Sequence, residues 1–259
     1  MFGICSFNLV AIRSEATDRS EMVTQLLFGD VYELLEESEN GKWLKIRILE
    51  DEYVGWMDKK LFTAFSAQEA EKLKSEPEII SLDTVGFLTT EKISFPIFFG
   101  SYLPFYDGTY VYLSNSRLSF NGKTKQLKEN LEQTILHTAH SFLHTPYLWG
   151  GKSHAGIDCS GLVQIVFRSN GHKLKRDAYQ QASMGSPVEH IEKAKSCDLA
   201  FFSNDAGRVT HVGILLDNAT IIHAHGKVRV DKIDALGIIN GDTGLYSHKL
   251  SGIRRIIDG

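Results

Sequence analysis

The stretch Pro146 to Val163, P-Y-L-W-G-G-K-S-H-A-G-I-D-C-S-G-L-V, decides the fold of the second half of this chain. It sets Cys159 where a glycine-rich loop meets an apolar run that begins at Leu162. Glycine tolerates the close backbone approach that such a loop needs, and the apolar run predicts a buried helix. The N–H groups and dipole of a helix N-terminus stabilise a thiolate, which is expected to lower the pKa of Cys159 below the usual ~8.5. We therefore predict a nucleophilic thiol presented by a buried helix.

Two histidines downstream are candidates for the base that such a thiol requires. They lie in apolar segments that predict strands, T-H-V-G-I-L-L (210–216) and I-I-H-A-H-G-K-V-R-V (221–230). Paired as a hairpin, these strands would place His211 beside His223, so that one imidazole takes the proton of Cys159 while the other orients it. His225 lies on the same strand face, two residues further along, and is the alternative to His223.

A metal site is the competing use of these side chains. Zinc ligands usually come in close pairs such as C-x-x-C, whereas Cys159, His211 and His223 are widely separated in the sequence. Three further histidines follow helical spacing without cysteine or carboxylate support, namely His137, His140 and His144. We expect these to be surface and core residues, and we expect neither a metal nor a cofactor.

Four motifs together resemble the NlpC family of papain-like cell-wall peptidases. They are the stretch quoted above, C-D-L-A-F-F (197–202), T-H-V-G-I and I-I-H-A. The resemblance covers residues 126–259 and implies that Cys159 is the nucleophile, His211 the general base and acid, and His223 the orienting third residue. It also implies that Tyr147 and the backbone around Cys159 complete the oxyanion and substrate site.

The three cysteines are odd in number and widely spaced, which does not indicate a disulfide framework. Cys197 stands where the family often has a glycine before Asp-Leu. We therefore predict that Cys197 is a packed thiol.

The first half of the chain is β-rich. Residues 1–65 contain short apolar runs separated by turn signals, which predicts a small barrel. Their segments V-A-I-R-S-E, W-L-K-I-R and D-E-Y-V-G-W resemble a bacterial SH3-like domain. Residues 66–78 are polar and helix-prone and predict a helical linker. Residues 79–125 resemble a second, more divergent SH3-like barrel, with a β-hairpin insertion as the alternative.

From Gln126 the pattern changes to helical spacing, in a run that includes Leu131 and that Pro146 ends. The Cys159 helix and four or five strands follow, which is the order of a papain-like domain. The predicted fold class is α+β, with a papain-like NlpC catalytic domain in residues 126–259 preceded by two small SH3-like β-barrels.

Composition restricts the partners. The chain has 259 residues, which is long enough for two or three small domains, and its net charge of −4 gives no basic surface for nucleic acid. No apolar run approaches the ~20 residues of a membrane span, and the first residues lack the basic region of a signal peptide. We expect a cytoplasmic monomer without nucleic-acid or membrane partners; a periplasmic protein trimmed of its leader would have the same sequence.

The domain order suggests a substrate. Two SH3-like barrels before this catalytic domain resemble enzymes that cut murein peptides between γ-D-Glu and an L-diamino acid, releasing L-Ala-γ-D-Glu from fragments with a free L-Ala amine. A small murein peptide is therefore the expected partner. An unpaired buried ammonium is costly, so its pocket needs a carboxylate. Asp158 is the first candidate, with Ser160 as a hydrogen-bonding neighbour, and Asp158 is also suited to cap its helix.

Four more residues match family positions. Glu21 and Tyr53 match positions through which the family's first barrel closes the pocket; the alternatives are a solvated turn residue for Glu21 and barrel packing for Tyr53. Arg176 and Asp177 belong to a family motif and are expected to shape the γ-D-Glu side of the cleft. The sequence does not determine whether the diamino acid is meso-diaminopimelate or lysine.

Two other functions are open at this point. A thiol acyltransferase or lipid-processing relative would use the same cysteine and histidines, but it would need a wide apolar groove and no acidic amine recognition. A cell-wall-binding protein with SH3-like targeting modules and a degenerate catalytic domain is disfavoured by the intact set of Cys159, His211 and His223.

Overall fold

The computed structural model of the protein describes residues 1–113, 116–127 and 132–257. The chain divides into two compact units, Met1–Lys128 and Glu129–Gly259. Within the described ranges, every helix is too short or too polar to cross a membrane.

Short strands dominate the first unit, as its alternating apolar pattern predicts. In chain order they are β1 (Phe2–Ile4), β2 (Leu9–Arg13), β3 (Met22–Leu27), β4 (Val31–Glu37), β5 (Trp43–Ile48), β6 (Val54–Asp58), β7 (Ala64–Phe65), β8 (Ile79–Ser81), β9 (Val85–Thr89), β10 (Ser94–Phe98), β11 (Tyr110–Leu113), β12 (Ser116–Phe120) and β13 (Thr124–Gln126). Helix α1 (Ala67–Ser75) lies between β7 and β8.

Strands β1 to β7 form the sheet of an SH3-like barrel, in the order β3-β2-β6-β5-β4-β1-β7. Burial alternates along β2, so that Val10 and Ile12 face the interior. They share an apolar core there with Leu26, Tyr32 and Ile46. The small core lies where the sequence predicts the first barrel.

The rest of the first unit packs onto this barrel. A second sheet has the order β10-β9-β12-β11, and β8 pairs with β13. Helix α1 begins with a capping box, in which Ser66 and Glu69 accept each other's backbone N–H. Its Ala70 is buried in a core that contains Phe28 of the first barrel and Leu88 of the second sheet. The segment predicted as a linker is therefore helical and also part of a shared core.

The second unit combines helices with a large sheet. Its elements are α2 (Glu132–Ser141), β14 (Lys152–Ser153), β15 (Gly156–Ile157), α3 (Cys159–Arg168), α4 (Ala178–Gln181), β16 (Ser186–Val188), β17 (Leu199–Ser203), β18 (Val209–Leu215), β19 (Thr220–His225), β20 (Lys227–Ile233), β21 (Gly237–Ile239) and β22 (Tyr246–Arg255).

The helix predicted to start at Gln126 is described only from Glu132 onwards, and its predicted first residue lies in a strand. Gln126 is the last residue of β13, where it pairs with Ile79 of β8. The prediction was wrong here because pairing with a distant strand overrides the local helical spacing, and no local pattern reports such a partner. Leu131, which contributes to that spacing, lies outside the described residues.

Strands β17 to β22 close into a six-stranded barrel, because β21 pairs with both β20 and β22. The sheet has more strands than the four or five predicted, since β16 and β21 are only three residues long and give little signal. Every residue of α3 is buried, and the helix packs against β18 and β19. The helix that carries the thiol thus meets the strands that carry the histidines.

Candidate active site

Cys159 is the first residue of α3, and Asp158 caps that helix. The Oδ1 atom of Asp158 accepts the backbone N–H of Gly161 at 2.7 Å. Cys159 itself is 6% exposed. The nucleophile is therefore held at a fixed place by a helix whose other residues belong to the core.

Burial raises the pKa of the Cys159 thiol to about 12, and the negative charge of Asp158 adds to this effect. Backbone hydrogen bonds from Val212 and Ser160 act in the opposite direction, as does the charge of Arg176. The predicted lowering of this pKa is wrong, because desolvation outweighs the helix N-terminus. Cys159 rests as a neutral thiol and needs a base to react.

His211 and His223 come together across β18 and β19. The two strands are antiparallel, with Gly213 paired to His223. The Nε2 atom of His211 lies 2.8 Å from Nδ1 of His223. His225 is exposed at the end of β19. The structure therefore joins His211 by a hydrogen bond to His223, the residue preferred over His225 in the sequence analysis.

Asp231 of β20 extends this pair. Its Oδ2 atom lies 3.0 Å from Nε2 of His223, and its side chain is 1% exposed. Asp231 was not among the residues predicted from the sequence. The available signal was an acidic residue in a strand of mixed apolar and charged residues. The hairpin turn at Gly226 brings this strand back along β19, with Asp231 opposite Ile221.

Asp231 is itself held by other donors. Its ion pair with Arg229 has an Nε–Oδ2 distance of 2.8 Å, and Arg229 Nη2 donates to Oδ1 at 2.9 Å. The backbone N–H of Gly241 also donates to Oδ1, at 2.9 Å. Burial raises the pKa of Asp231, but hydrogen bonds from His223, Gly241 and Arg229 outweigh it and hold that pKa below the usual range. Asp231 is therefore ionised.

An ionised Asp231 fixes the tautomers of both histidines. It accepts from a protonated Nε2 of His223, which leaves Nδ1 of His223 as an acceptor. That acceptor requires Nε2 of His211 to carry its proton, so Nδ1 of His211 is left without one. The backbone N–H of the following residue, Val212, bonds to the Cys159 sulfur. The relay thus leaves Nδ1 of His211 unprotonated, on the residue next to the one whose N–H bonds to the nucleophile.

Both histidines are neutral at physiological pH. Burial lowers the pKa of His211 well below 6.5, and the neighbouring imidazoles of His223, His248 and His225 lower it further. Burial also lowers the pKa of His223, against the opposing hydrogen bond to Asp231. The resting site therefore contains a thiol and neutral imidazoles rather than a thiolate–imidazolium pair.

His248 of β22 adds a further imidazole that the sequence analysis missed. Its ring stacks on that of His211, with centroids 4.2 Å apart and an interplanar angle of 25°. Burial lowers the pKa of His248 to about 4. Strand β22 reaches this place only because the barrel closes, so the local sequence holds no signal for the contact.

Gly213 makes room for His223. A methyl group at this position would lie 2.7 Å from Cδ1 of Ile221 and 2.9 Å from Cβ of His223. Strands β18 and β19 approach each other too closely here for any side chain. The glycine of the T-H-V-G-I motif is therefore a requirement of the site's packing.

Asp158 and Arg176 form a buried ion pair below the nucleophile. Nη1 of Arg176 donates to Oδ1 at 3.0 Å and Nη2 donates to Oδ2 at 2.6 Å. Nη1 also donates to Oγ of Ser160 at 2.8 Å. The side chain of Arg176 is 1% exposed and that of Asp158 8% exposed. Arg176 thus balances the charge of Asp158 inside the protein, and the expected substrate contacts of these three residues stay predictions.

Tyr147 and Asp177 lie at the edge of the same region. Tyr147 is half-buried, and burial raises the pKa of its phenol, with further contributions from Cys159 and Asp158. Asp177 is half-buried and immediately precedes α4. The oxyanion and substrate roles expected of these two residues stay predictions.

Glu21 and Tyr53 belong to the first unit. Glu21 is exposed and immediately precedes β3. Tyr53 is half-buried immediately before β6 and packs against the barrel core. Tyr53 thus has the barrel-packing contact that was the alternative to a substrate role. The substrate roles of Glu21 and Tyr53 stay predictions.

Other cysteine and histidine residues lie apart from the relay. Cys197 is 4% exposed and has a φ of 68°, a backbone conformation that explains why glycine suits this position. It is a packed thiol, as predicted. His137, His140 and His144 are exposed.

A thiol at the start of a buried helix, served by an imidazole relay on facing barrel strands, defines a papain-like thiol hydrolase. Residues 144–242 belong to the NlpC/P60 family. Residues 12–60 match the bacterial dipeptidyl-peptidase SH3 domain. The chain is thus a peptidase of the NlpC/P60 type with an SH3 domain in its first unit.

Known proteins match this arrangement over most of the chain. A gamma-D-glutamyl-L-lysine dipeptidyl-peptidase of Bacillus subtilis (strain 168) is 24% identical, over 98% of this chain and 83% of its own length. A protein of the same name from Bacillus cereus (strain ATCC 10987 / NRS 248) is 26% identical, over 93% and 77%. The crystal structure of an NlpC/P60 family protein from Bacillus cereus ATCC 10987 has the same fold, with a TM-score of 0.83 at 21% identity and full coverage of both chains.

Proposed function

We propose that the protein is a cysteine peptidase that hydrolyses the bond between γ-D-Glu and an L-diamino acid in murein peptides, releasing L-Ala-γ-D-Glu from fragments with a free N-terminal L-Ala. The observation that carries this proposal is the hydrogen-bonded chain of His211, His223 and Asp231 in an NlpC/P60 domain, with Val212, the neighbour of His211, bonded to the Cys159 sulfur. The two dipeptidyl-peptidase relatives, which match nearly the whole chain, support the choice of substrate.

In the first half of the reaction, the sulfur of Cys159 attacks the γ-carbonyl carbon of D-Glu while Nδ1 of His211 takes the thiol proton. The resulting imidazolium is stabilised through His223 by the ionised Asp231. His211 then gives the proton to the α-amine of the diamino acid as the C–N bond breaks. A γ-glutamyl thioester on Cys159 and a free diamino acid are the products of this step.

In the second half, water attacks the thioester carbonyl and His211 accepts a proton from that water. The C–S bond breaks, the sulfur takes the proton back from His211, and L-Ala-γ-D-Glu leaves. The relay returns to its resting tautomers, because Asp231 again fixes the proton on Nε2 of His223.

Recognition of the substrate ammonium requires an acidic partner. The charge of Asp158 is already balanced by Arg176, so Asp158 and Ser160 serve first to hold the nucleophile loop. Glu21, which is not part of this ion pair, is the candidate partner of the substrate ammonium. We propose that Glu21 and Tyr53 contribute to recognition of this amine. The exposed position of Glu21 supports this assignment.

The remaining expectations are part of the same proposal. They are a monomer acting in the cytoplasm on small murein peptides, without nucleic-acid or membrane partners. The net charge of −4 supports the exclusion of nucleic acid. Cell fractionation and analytical ultracentrifugation test location and oligomeric state.

The decisive experiment incubates L-Ala-γ-D-Glu-L-Lys, and its meso-diaminopimelate counterpart, with the wild-type protein and with Cys159→Ala. Mass spectrometry is expected to find L-Ala-γ-D-Glu and the free diamino acid with the wild-type protein alone. Intact tripeptides after prolonged incubation would overturn the substrate assignment. Equal cleavage by Cys159→Ala would overturn the assignment of the nucleophile.

A further inference from the structure

The histidine cluster has a property that the peptidase reaction does not use. One ligand nitrogen from each of His211, His223 and His248 lies within 4.8 Å of the other two. Imidazole nitrogen is a preferred ligand of Zn²⁺ and related divalent transition metals. We propose that these three histidines form a binding site for Zn²⁺ and that the bound ion inactivates the enzyme. This inference goes beyond the proposed function, because metal binding requires no substrate.

Two of the three ring pairs have centroid spacings close to those of a zinc site. Zn–N bonds of about 2.0–2.1 Å in a tetrahedral site place nitrogens about 3.3 Å apart and imidazole centroids about 5.2 Å apart. The rings of His211 and His223 have centroids 5.1 Å apart at an interplanar angle of 81°. Those of His223 and His248 are 5.8 Å apart at 86°. The nitrogens that join His211 to His223 are 2.8 Å apart and point at each other in a hydrogen bond. They must separate by about 0.5 Å, and both rings must turn, before they can share one ion.

The third ring pair must open. His211 and His248 are stacked at 4.2 Å, so their centroids have to separate by about 1 Å to match the tetrahedral spacing. His248 is half-buried, and its Nδ1 lies 2.9 Å from Oγ of Ser247, which leaves Nε2 for the ion. His248, at the edge of the cluster, therefore makes the larger movement, and the buried pair makes the smaller one.

The surroundings of the cluster also suit a cation. The carboxylate of Asp231 holds Nε2 of His223. A carboxylate that fixes the far nitrogen of a ligating histidine is the usual outer partner of a zinc ligand.

Inactivation follows from proton placement. An ion shared by Nε2 of His211 and Nδ1 of His223 replaces the hydrogen bond between these atoms. The proton on Nε2 of His211 then moves to Nδ1 of the same ring, and the imidazole stays neutral. A protonated Nδ1 is a donor and cannot accept the thiol proton of Cys159, so the nucleophile is no longer activated.

Isothermal titration calorimetry of the full chain with ZnCl₂ tests the site without any substrate. His248→Phe keeps a stacked ring and removes the ligand nitrogen, and His248→Gln is a second variant in case the first misfolds. His225→Phe is the matched control, because this neighbouring histidine lies outside the trio. Cys159→Ser separates binding at the histidines from binding at the thiol, and His140→Ala removes an exposed histidine of α2.

We expect one saturable site in the wild-type protein. Loss of an outer partner of a metal ligand alone weakens binding 10–100-fold, so removal of a ligand at His248 should weaken it at least about tenfold. His225→Phe, His140→Ala and Cys159→Ser should keep the affinity within about threefold. No saturable binding, unchanged affinity in both His248 variants, or loss of binding in Cys159→Ser would overturn the proposal.

A second readout links the site to activity. Zn²⁺ should inhibit cleavage of L-Ala-γ-D-Glu-L-Lys, and a chelator should restore the rate. For each variant, the rate with Zn²⁺ is divided by the rate of the same variant without Zn²⁺. The Zn²⁺ concentration that halves the rate should be at least about tenfold higher for His248→Phe than for the wild-type protein. Binding without inhibition would overturn the inactivation step. If the protein binds Zn²⁺ but cleaves no tripeptide, the metal site is supported and the substrate assignment is overturned.

Discussion

At the scale of single residues, the site is governed by competition between burial and hydrogen bonding. Burial disfavours charge on Cys159 and on His211, and both groups are neutral at rest. Asp231 is equally buried but keeps its charge, because several donors surround it. The negative end of the relay is thus fixed, and the proton between the thiol and His211 moves only during the reaction.

The neutral thiol predicts how alkylation of Cys159 depends on pH. A thiol with a pKa near 12 is almost wholly protonated at neutral pH, and its thiolate fraction rises about tenfold per pH unit below that pKa. The rate of iodoacetamide modification at Cys159, resolved from Cys5 and Cys197 by peptide mass spectrometry, should therefore rise steeply from pH 6 to 9. A rate that is flat over this range would indicate a preformed thiolate–imidazolium pair and contradict this account.

Asp231→Asn tests the control of tautomers. The amide of Asn donates to Nε2 of His223, which reverses both hydrogen bonds of the relay and places a proton on Nδ1 of His211. By analogy with the loss of an orienting carboxylate in serine proteases, kcat/KM should fall by about 10² or more. Asp242→Asn is the control, because Asp242 also pairs with Arg229 but its side chain is 75% exposed. Equal activity of the two variants would remove Asp231 from the relay.

Some of this site was predictable from local sequence and some was not. Cys159, His211 and His223 lie in sequence motifs that indicate a nucleophile and its base. Asp231 and His248 join them through strand pairing and barrel closure, which local patterns do not encode. The direction of the Cys159 pKa was wrong because it depends on how deeply α3 is buried, a property of the whole second unit.

At the scale of elements, the distance between β18 and β19 sets the position of His223. Gly213 faces His223 across these strands, and the structure leaves no space for a side chain there. The apolar alternation of both strands was evident in the sequence. Their close approach was not, since it depends on which residues face each other.

Gly213→Ala should therefore damage the site. The added methyl group meets Ile221 and His223 at less than 3 Å, and overpacking of this kind costs about 1–3 kcal/mol of stability. We expect a lower thermal midpoint and a fall in kcat/KM, because β19 must shift and carry His223 with it.

Gly252→Ala is the matched control for this variant. Gly252 also lies in a strand of the same barrel, β22, but a methyl group there meets nothing within 4 Å. It should leave both the thermal midpoint and kcat/KM close to those of the wild-type protein. If the two variants behave alike, the close approach at Gly213 has no role in positioning His223.

At the scale of the whole molecule, the two units are proposed to divide the work between chemistry and substrate selection. The fold of each unit was predictable in class, because SH3-like and NlpC-type motifs are dense in the sequence. The strand position of Gln126 and the barrel closure by β21 were not, because both depend on pairing with distant strands.

Glu21→Gln tests the contribution of the first unit. If Glu21 binds the substrate ammonium, loss of its charge should lower kcat/KM for L-Ala-γ-D-Glu-L-Lys by about tenfold or more, the usual scale for a charge-assisted contact. Glu39→Gln removes an equally exposed acid from the same unit and should leave kcat/KM unchanged. Indistinguishable kinetics for the two variants would restrict amine recognition to the second unit.

The central claim is that the enzyme trims free murein peptides from their amino end. Its most direct test is the ratio of kcat/KM for L-Ala-γ-D-Glu-L-Lys to that for the same peptide acetylated on L-Ala. Acetylation removes the ammonium that Glu21 is proposed to bind, and discrimination of this kind reaches ~10⁴. The account predicts a preference of at least about 10³ for the free peptide. Comparable rates for the two peptides would contradict it.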